Sequence, residues 1–208
     1  MKNIKRILAI SVMAVMLCSV AFLTSCSVLD GGVKNKMKQV VDAKSFTFDM
    51  IYAGSDDVMT GKFDFENRIF YSCVQNSGTK YETYVWYNKN TDEYYIADVY
   101  NRQDETEVIK QKISKGEFVE EYLNEIFENC INNLETYLTT ISLWDYDNAV
   151  YTLGSSSETS NTVEITIENG NLIVKTIDYY SEKSSVTYSD VNKTKITIPE
   201  RVLSAELK

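Results

Sequence analysis

A chain of 208 residues, 44% hydrophobic and 25% charged, is long enough to bury a real core as one ordinary domain. It has no histidine, which removes the commonest general base and metal ligand. Its formal net charge of −9 works against nucleic acid, whose affinity rests on basic side chains neutralising phosphates.

The first element predicted is an export signal: Lys2, Lys5 and Arg6 precede an apolar run from Ile7 to Leu23, broken only by Ser11 and Ser19. The run is about long enough to span a bilayer, but it ends in Leu23, Thr24, Ser25 and Cys26. That ending resembles the lipobox read by bacterial prolipoprotein-processing enzymes. The resemblance implies a diacylglyceryl group on the Cys26 thiol, cleavage just before it, and a membrane partner reached through that lipid. Residues 1–25 are then a signal, 26–32 a lipidated cysteine with a short spacer, and 33–208 a single domain on the extracytoplasmic face of the cell membrane. Without the three basic residues of the signal, the remainder carries −12. Adsorption to anionic headgroups by charge is therefore excluded, and the tether must supply the contact.

Asp30 can cap a short helix carrying Val33, Met37, Val40 and Val41 on one side. From Ser45 the period falls to two, and Phe46, Phe48, Met50 and Tyr52 line one face of a strand. A hairpin is predicted from Val58–Phe65 and Arg68–Val74, turning at Glu66 and Asn67, and a second from Tyr81–Tyr87 and Glu93–Tyr100. Val108–Ile113 favours a further strand. Val119, Leu123, Phe127, Cys130, Leu134, Leu138 and Ile141 then recur at spacings of four and three, which predicts one long amphipathic helix. Ser114 and Glu117 have the spacing of a capping box at its start. Ala149–Leu153 reads as a strand and residues 154–161 as a polar surface loop. Val163–Ile167, Asn169-Gly170 and Leu172–Tyr180 give the strongest hairpin signal in the chain. Val186–Val191 and Ile196–Ile198 are expected to finish the sheet, leaving Glu200–Lys208 as a short tail.

The ending Glu168, Asn169, Gly170, Asn171, Leu172, followed by Thr187, Tyr188, Ser189, Asp190, Val191, Asn192 and by Ile196, Thr197, Ile198, Pro199, resembles that of LolA-like and mycobacterial LppX/LprG-like lipoproteins. Lys44 to Phe48 and Gly61 to Asp64 are similar to their first strands. The resemblance runs over most of the chain as pattern and element order, with no invariant catalytic motif. It implies an α+β fold: a strongly curved antiparallel sheet, an unclosed barrel, packed on one long amphipathic helix and a short N-terminal helix. It also implies an apolar cavity for a lipid or acyl ligand. The residues expected to line that cavity are Phe48, Met50, Phe63, Phe65, Trp86, Leu123 and Phe127. This chain keeps its own anchor, which favours local lipid handling over shuttling.

The tyrosine and tryptophan load of the strands before the helix leaves three readings open: rings that fill a core, rings that line a lipid cavity, or an exposed face that stacks on cell-wall glycan or meets another envelope protein. No particular protein partner is indicated. Enzyme readings find little support. Without histidine there is no Ser/His/Asp or Cys/His site, and no Gly-rich phosphate cradle or metal-ligand spacing occurs. Asp145, Tyr146, Asp147 and Asn148 start like a calcium loop, but Ala149 and Val150 stand where a ligand and the turn glycine are needed. Adjacent acids such as Asp56 with Asp57, or Glu120 with Glu121, read as solvated faces. No catalytic residue, metal or cofactor is therefore expected. Cys73 and Cys130 are the two thiols left to the exported domain, where small buried thiols and a disulfide both remain possible.

Overall fold

The computed structural model describes residues 32–52, 54–55, 57–76, 79–102, 105–123, 131, 133–148, 150–153, 162–177 and 183–208. The expectations placed on Cys26, Asp30, Phe127, Cys130 and the 154–161 loop lie outside these residues. Among the described residues no helix is long and apolar enough to cross a membrane.

The chain opens with helix α1 (residues 32–41). Val33, Met37 and Val40 recur every three or four residues and are buried, so one stripe of this helix seats in the core, as its periodicity predicts. Six strands follow: β1 (Ser45–Ile51), β2 (Val58–Asp64), β3 (Ile69–Asn76), β4 (Thr79–Asn88), β5 (Glu93–Arg102) and β6 (Glu105–Ile113). After a helical stretch come β7 (Asp145–Asp147), β8 (Val150–Leu153), β9 (Thr162–Glu168), β10 (Asn171–Ile177) and β11 (Lys183–Ser189). All eleven form one antiparallel sheet in the order β6-β5-β4-β3-β2-β1-β11-β10-β9-β8-β7. The sheet is unclosed, with β6 and β7 as its edges, and β1 and β11 meet in its middle. Both predicted hairpins before the helix form, and so does the Asn169-Gly170 turn. There φ values of 51° and 79° supply the two left-handed residues that a tight two-residue hairpin needs.

The sheet buries apolar side chains on both faces. On the core face Phe46, Phe48, Phe63, Phe70, Val85, Ile165, Leu172 and Tyr188 pack with α1. On the outer face a second cluster holds Tyr84, Trp86, Ala97, Val99 and Val202.

Three expectations meet different outcomes. The first, one long helix, is not shown among the described residues. Its predicted capping box is present, with Glu117 N–H donating to Ser114 Oγ (3.1 Å) and Ser114 N–H to the Glu117 carboxylate (2.5 Å). The described residues after it, however, form a short α-turn (α2, Lys115–Glu117), a π-helical turn over Phe118–Leu123, a helix α3 (Asn133–Thr140) and a 3₁₀ turn over Ile141–Leu143. Near the end of α3 the Thr139 and Thr140 hydroxyls both donate to the Thr136 carbonyl (2.7 and 3.2 Å).

The second correction concerns Ile196–Ile198, which form no strand. Because β11 lies between β1 and β10, neither of its sides is free to receive another strand. Asp190 and Asn192, at φ 49° and 60°, turn the chain away from the sheet, and Asn192 N–H donates to the Ser45 carbonyl (2.7 Å). The third is the tail. Residues Glu200–Leu203 form a helix, α4, whose Val202 is fully buried. Leu207 then bridges to Lys110 at the β6 edge. The sequence reading also missed β7, since aspartate is depleted in strands; its exposed Asp-Tyr-Asp edge discourages pairing with another chain.

Candidate functional site

The β2–β3 turn, the start of β5 and the chain after β6 converge at one end of the sheet, on the core face. They enclose a cavity of about 260 Å³ lined by Phe63, Phe65, Arg68, Tyr94, Lys115, Phe118 and Val119. The strand register builds its floor. Phe63 pairs with Phe70, and the Phe63 ring lies 3.9 Å from that of Phe65, centroid to centroid. Its wall comes from the π-helical turn, where Phe118 is buried and stacks 4.8 Å from Tyr94. Widened helical turns of this kind concentrate at functional sites.

Two cations stand at this otherwise apolar cavity. Arg68 occupies a left-handed turn position (φ 54°), donates to Tyr94 Oη (2.8 Å) and lies 5.0 Å over the Tyr87 ring. Tyr94 and Tyr87 stack on each other at 4.9 Å, so the guanidinium is held by rings. Lys115 comes from α2. Neither cation has a carboxylate partner among the described residues. In a domain with a large acidic excess, these two cations set a local positive charge beside an apolar cavity.

Of the seven residues expected to line a cavity, this one brings together Phe63 and Phe65. Phe48 and Met50 share their face, as the period of two requires, but Phe48 belongs to the closed core and Met50 packs against it. Leu123 ends the π-helical turn that carries Phe118 and Val119. Trp86 stands apart, on the outer face, stacked 5.4 Å from Tyr95. The reason is register: Phe70 pairs with Val85 on the core face, so the next residue, Trp86, points the other way. Arg68, Tyr94, Lys115, Phe118 and Val119 were not named as site residues. Phe118 and Val119 were visible as the start of the apolar stripe, whereas the two cations gave no periodic signal. A smaller cavity of about 80 Å³ lies between α3 and β10–β11, beside Leu134, Tyr137, Val174 and Tyr188.

The outer face is organised around Glu82. This buried carboxylate accepts from Lys80 (2.9 Å), Tyr71 (3.0 Å), Tyr84 (3.2 Å) and Asn101 (2.8 Å), and Arg201 of α4 lies 3.6 Å away. Burial works against its charge, but the hydrogen bonds from Lys80, Tyr71 and Asn101 outweigh it and hold the carboxyl below its ordinary range. Burial and the same carboxylate push Tyr84 up to about 12. Burial also raises Tyr71, with the Cys73 thiol and Glu82 adding to the effect. Cys73 is half-buried and carries a free thiol. Lys110 reaches across Trp86 and Tyr95 (5.9 and 5.4 Å) and donates to the Leu203 carbonyl (2.6 Å). Tyr84 and Trp86 are therefore covered by α4 and Ile198, leaving them closed to an external ligand. No model of a known protein family matches the chain, and no curated protein matches it.

Proposed function

We propose that this chain is an extracytoplasmic lipoprotein, anchored in the cell membrane through lipid on Cys26, whose domain is a non-enzymatic binding module for an apolar ligand. The ligand is a single acyl chain with a negatively charged end. The chain enters the cavity between the sheet and the Phe118–Leu123 turn, and the charged end meets Arg68 and Lys115. The observation that carries this reading is the cavity itself, apolar in its walls and flanked by Arg68 and Lys115, which have no carboxylate partner among the described residues. Its volume of about 260 Å³ exceeds the ~150 Å³ of a cavity that takes up benzene. It falls just short of the ~300–1,000 Å³ of drug-sized sites, so one chain or part of one fits better than a lipid with several. The unclosed antiparallel sheet agrees with the half-barrel architecture that the sequence resemblance implies. A reading in which the aromatic face of β3–β5 stacks on glycan draws less support, because Tyr84 and Trp86 are buried.

Titration of a fluorescent fatty acid into the protein tests the reading, with Val119→Phe as the informative variant. A larger ring at this half-buried position is expected to occupy the cavity and weaken probe uptake while the melting temperature hardly moves. If the parent protein takes up no probe, the ligand assignment is wrong. If Val119→Phe costs about 1 to 3 kcal/mol of stability, as overpacking of a filled core does, and leaves uptake unchanged, the cavity is not the site.

A further inference from the structure

Exposed large apolar side chains gather at one end of the sheet. In an antiparallel sheet the end of β1, the starts of β2 and β4, the end of β8 and the start of β7 all lie along one rim. Ile51, Tyr52 and Val58 are exposed at the β1–β2 tip, Tyr81 at the head of β4, Leu153 at the end of β8 and Leu143 two residues before β7. Tyr52 is 53% exposed and Leu143 85%. The opposite rim carries turns such as Glu66-Asn67 and Lys89-Asn90, and Phe65 and Arg68 of the first turn line the cavity described above.

The first turn of α1 reaches the middle of the sheet, since Tyr151 pairs with Ile165 at the centre of β9. Lys34, in the first turn of α1, lies 5.7 Å over the ring of Tyr151, two residues before Leu153. The far end of α1 delivers the chain to the start of β1 at the other rim, where Lys44 N–H donates to Asn192 Oδ1 (2.8 Å). Five residues lie between Cys26 and the start of α1, a span of at most about 22 Å over six residue steps. An anchored Cys26 therefore leaves the rim of the β1–β2 tip and the start of β7 within reach of the bilayer.

We propose that this rim rests in the interface of the membrane that holds Cys26, with Ile51, Tyr52, Val58, Leu143 and Leu153 entering it; the proposal rests on the anchoring at Cys26. Tyrosine suits such a boundary because its ring is apolar and its hydroxyl reaches water. Aliphatic side chains entering the headgroup–acyl boundary bury apolar area there in addition to that of the covalent lipid. With this rim on the bilayer, Arg68 and Lys115 stand at the end of the sheet away from the membrane.

The test uses the lipidated full-length chain in phosphatidylcholine vesicles and tryptophan reporters at exposed positions. Tyr52→Trp and Leu143→Trp report on the apolar rim, while Asn67→Trp and Lys89→Trp report on the opposite one. The native Trp86 and Trp144 are buried and give a constant background. With bromine-labelled acyl chains in the vesicles, the Tyr52→Trp and Leu143→Trp reporters are expected to lose emission in proportion to bromolipid content, and the other two to be unchanged. Vesicle flotation of the same samples reads the anchor separately. Flotation without quenching at positions 52 and 143, or with equal quenching at both rims, overturns the orientation and leaves the anchor standing. Failure to float removes the anchor, and the orientation with it.

Discussion

At Gly61 the place a Cβ would take is already filled by the ring of Phe48, its cross-strand partner. The missing side chain lets the ring lie flat against β2, and the ring is in turn 6.1 Å from that of Phe46. Gly61→Ala is expected to displace Phe48 and to cost toward the upper end of the roughly 1–3 kcal/mol range for overpacking, read as a lower denaturation midpoint. Phe48→Leu in the same chain should recover part of the loss. Glu82 makes a prediction of different kind. Its folded pKa lies below the ordinary value, so its contribution to stability is full above about pH 4.3 and is lost as the pH falls through the lower folded value. Denaturant midpoints at neutral and strongly acidic pH should show a steeper acid loss in the parent than in Glu82→Gln. At the cavity, Arg68→Gln and Lys115→Gln should each weaken fatty-acid binding about tenfold, a charged hydrogen bond's worth, and leave the methyl ester unaffected.

At the scale of elements, α4 and the residues around it act as a clamp on the outer face. Val202 is fully buried against the cluster of Tyr84, Trp86, Ala97 and Val99. Arg201 reaches Glu82, Lys110 holds the Leu203 carbonyl, and Lys208 N–H donates to the Lys110 carbonyl (3.0 Å). Val202→Ala should cost about 1.5 to 3 kcal/mol from lost burial and the space left behind. Ending the chain at Pro199 should shift tryptophan emission to the red as Trp86 meets water; unchanged emission would mean that α4 is a passive tail. This element was hidden in the sequence, because nine residues with two positive and two negative side chains in a terminal stretch give no periodic signal. Strands with strict alternation, such as β1 and β9, and the Asn169-Gly170 turn were legible because each local preference agreed with the final sheet. Of the long helix predicted after β6, the capping box is present, and the continuous helix is not shown among the described residues. Of the cavity, Phe63 and Phe65 could be read from their strand. Trp86 was misplaced because a period of two fixes only relative facing, and the register that chooses the face is a tertiary fact.

At the scale of the molecule, an acidic domain carries a cavity with two cations, and the proposed anchor is Cys26. Cys26→Ala should abolish incorporation of a tagged fatty acid supplied to growing cells; continued labelling would place the anchor elsewhere. Phe63, Tyr94 and Phe118 surround a cavity of about 260 Å³, and the proposed ligand is assigned to it. Native mass spectrometry of the lipidated protein taken from its own host membrane tests the central claim most directly. The account predicts a non-covalent adduct with the mass of one acyl-chain anion, released as collision energy rises and absent from Val119→Phe. A parent protein that carries only its covalent modification, and takes up no fatty acid when one is added, would contradict it.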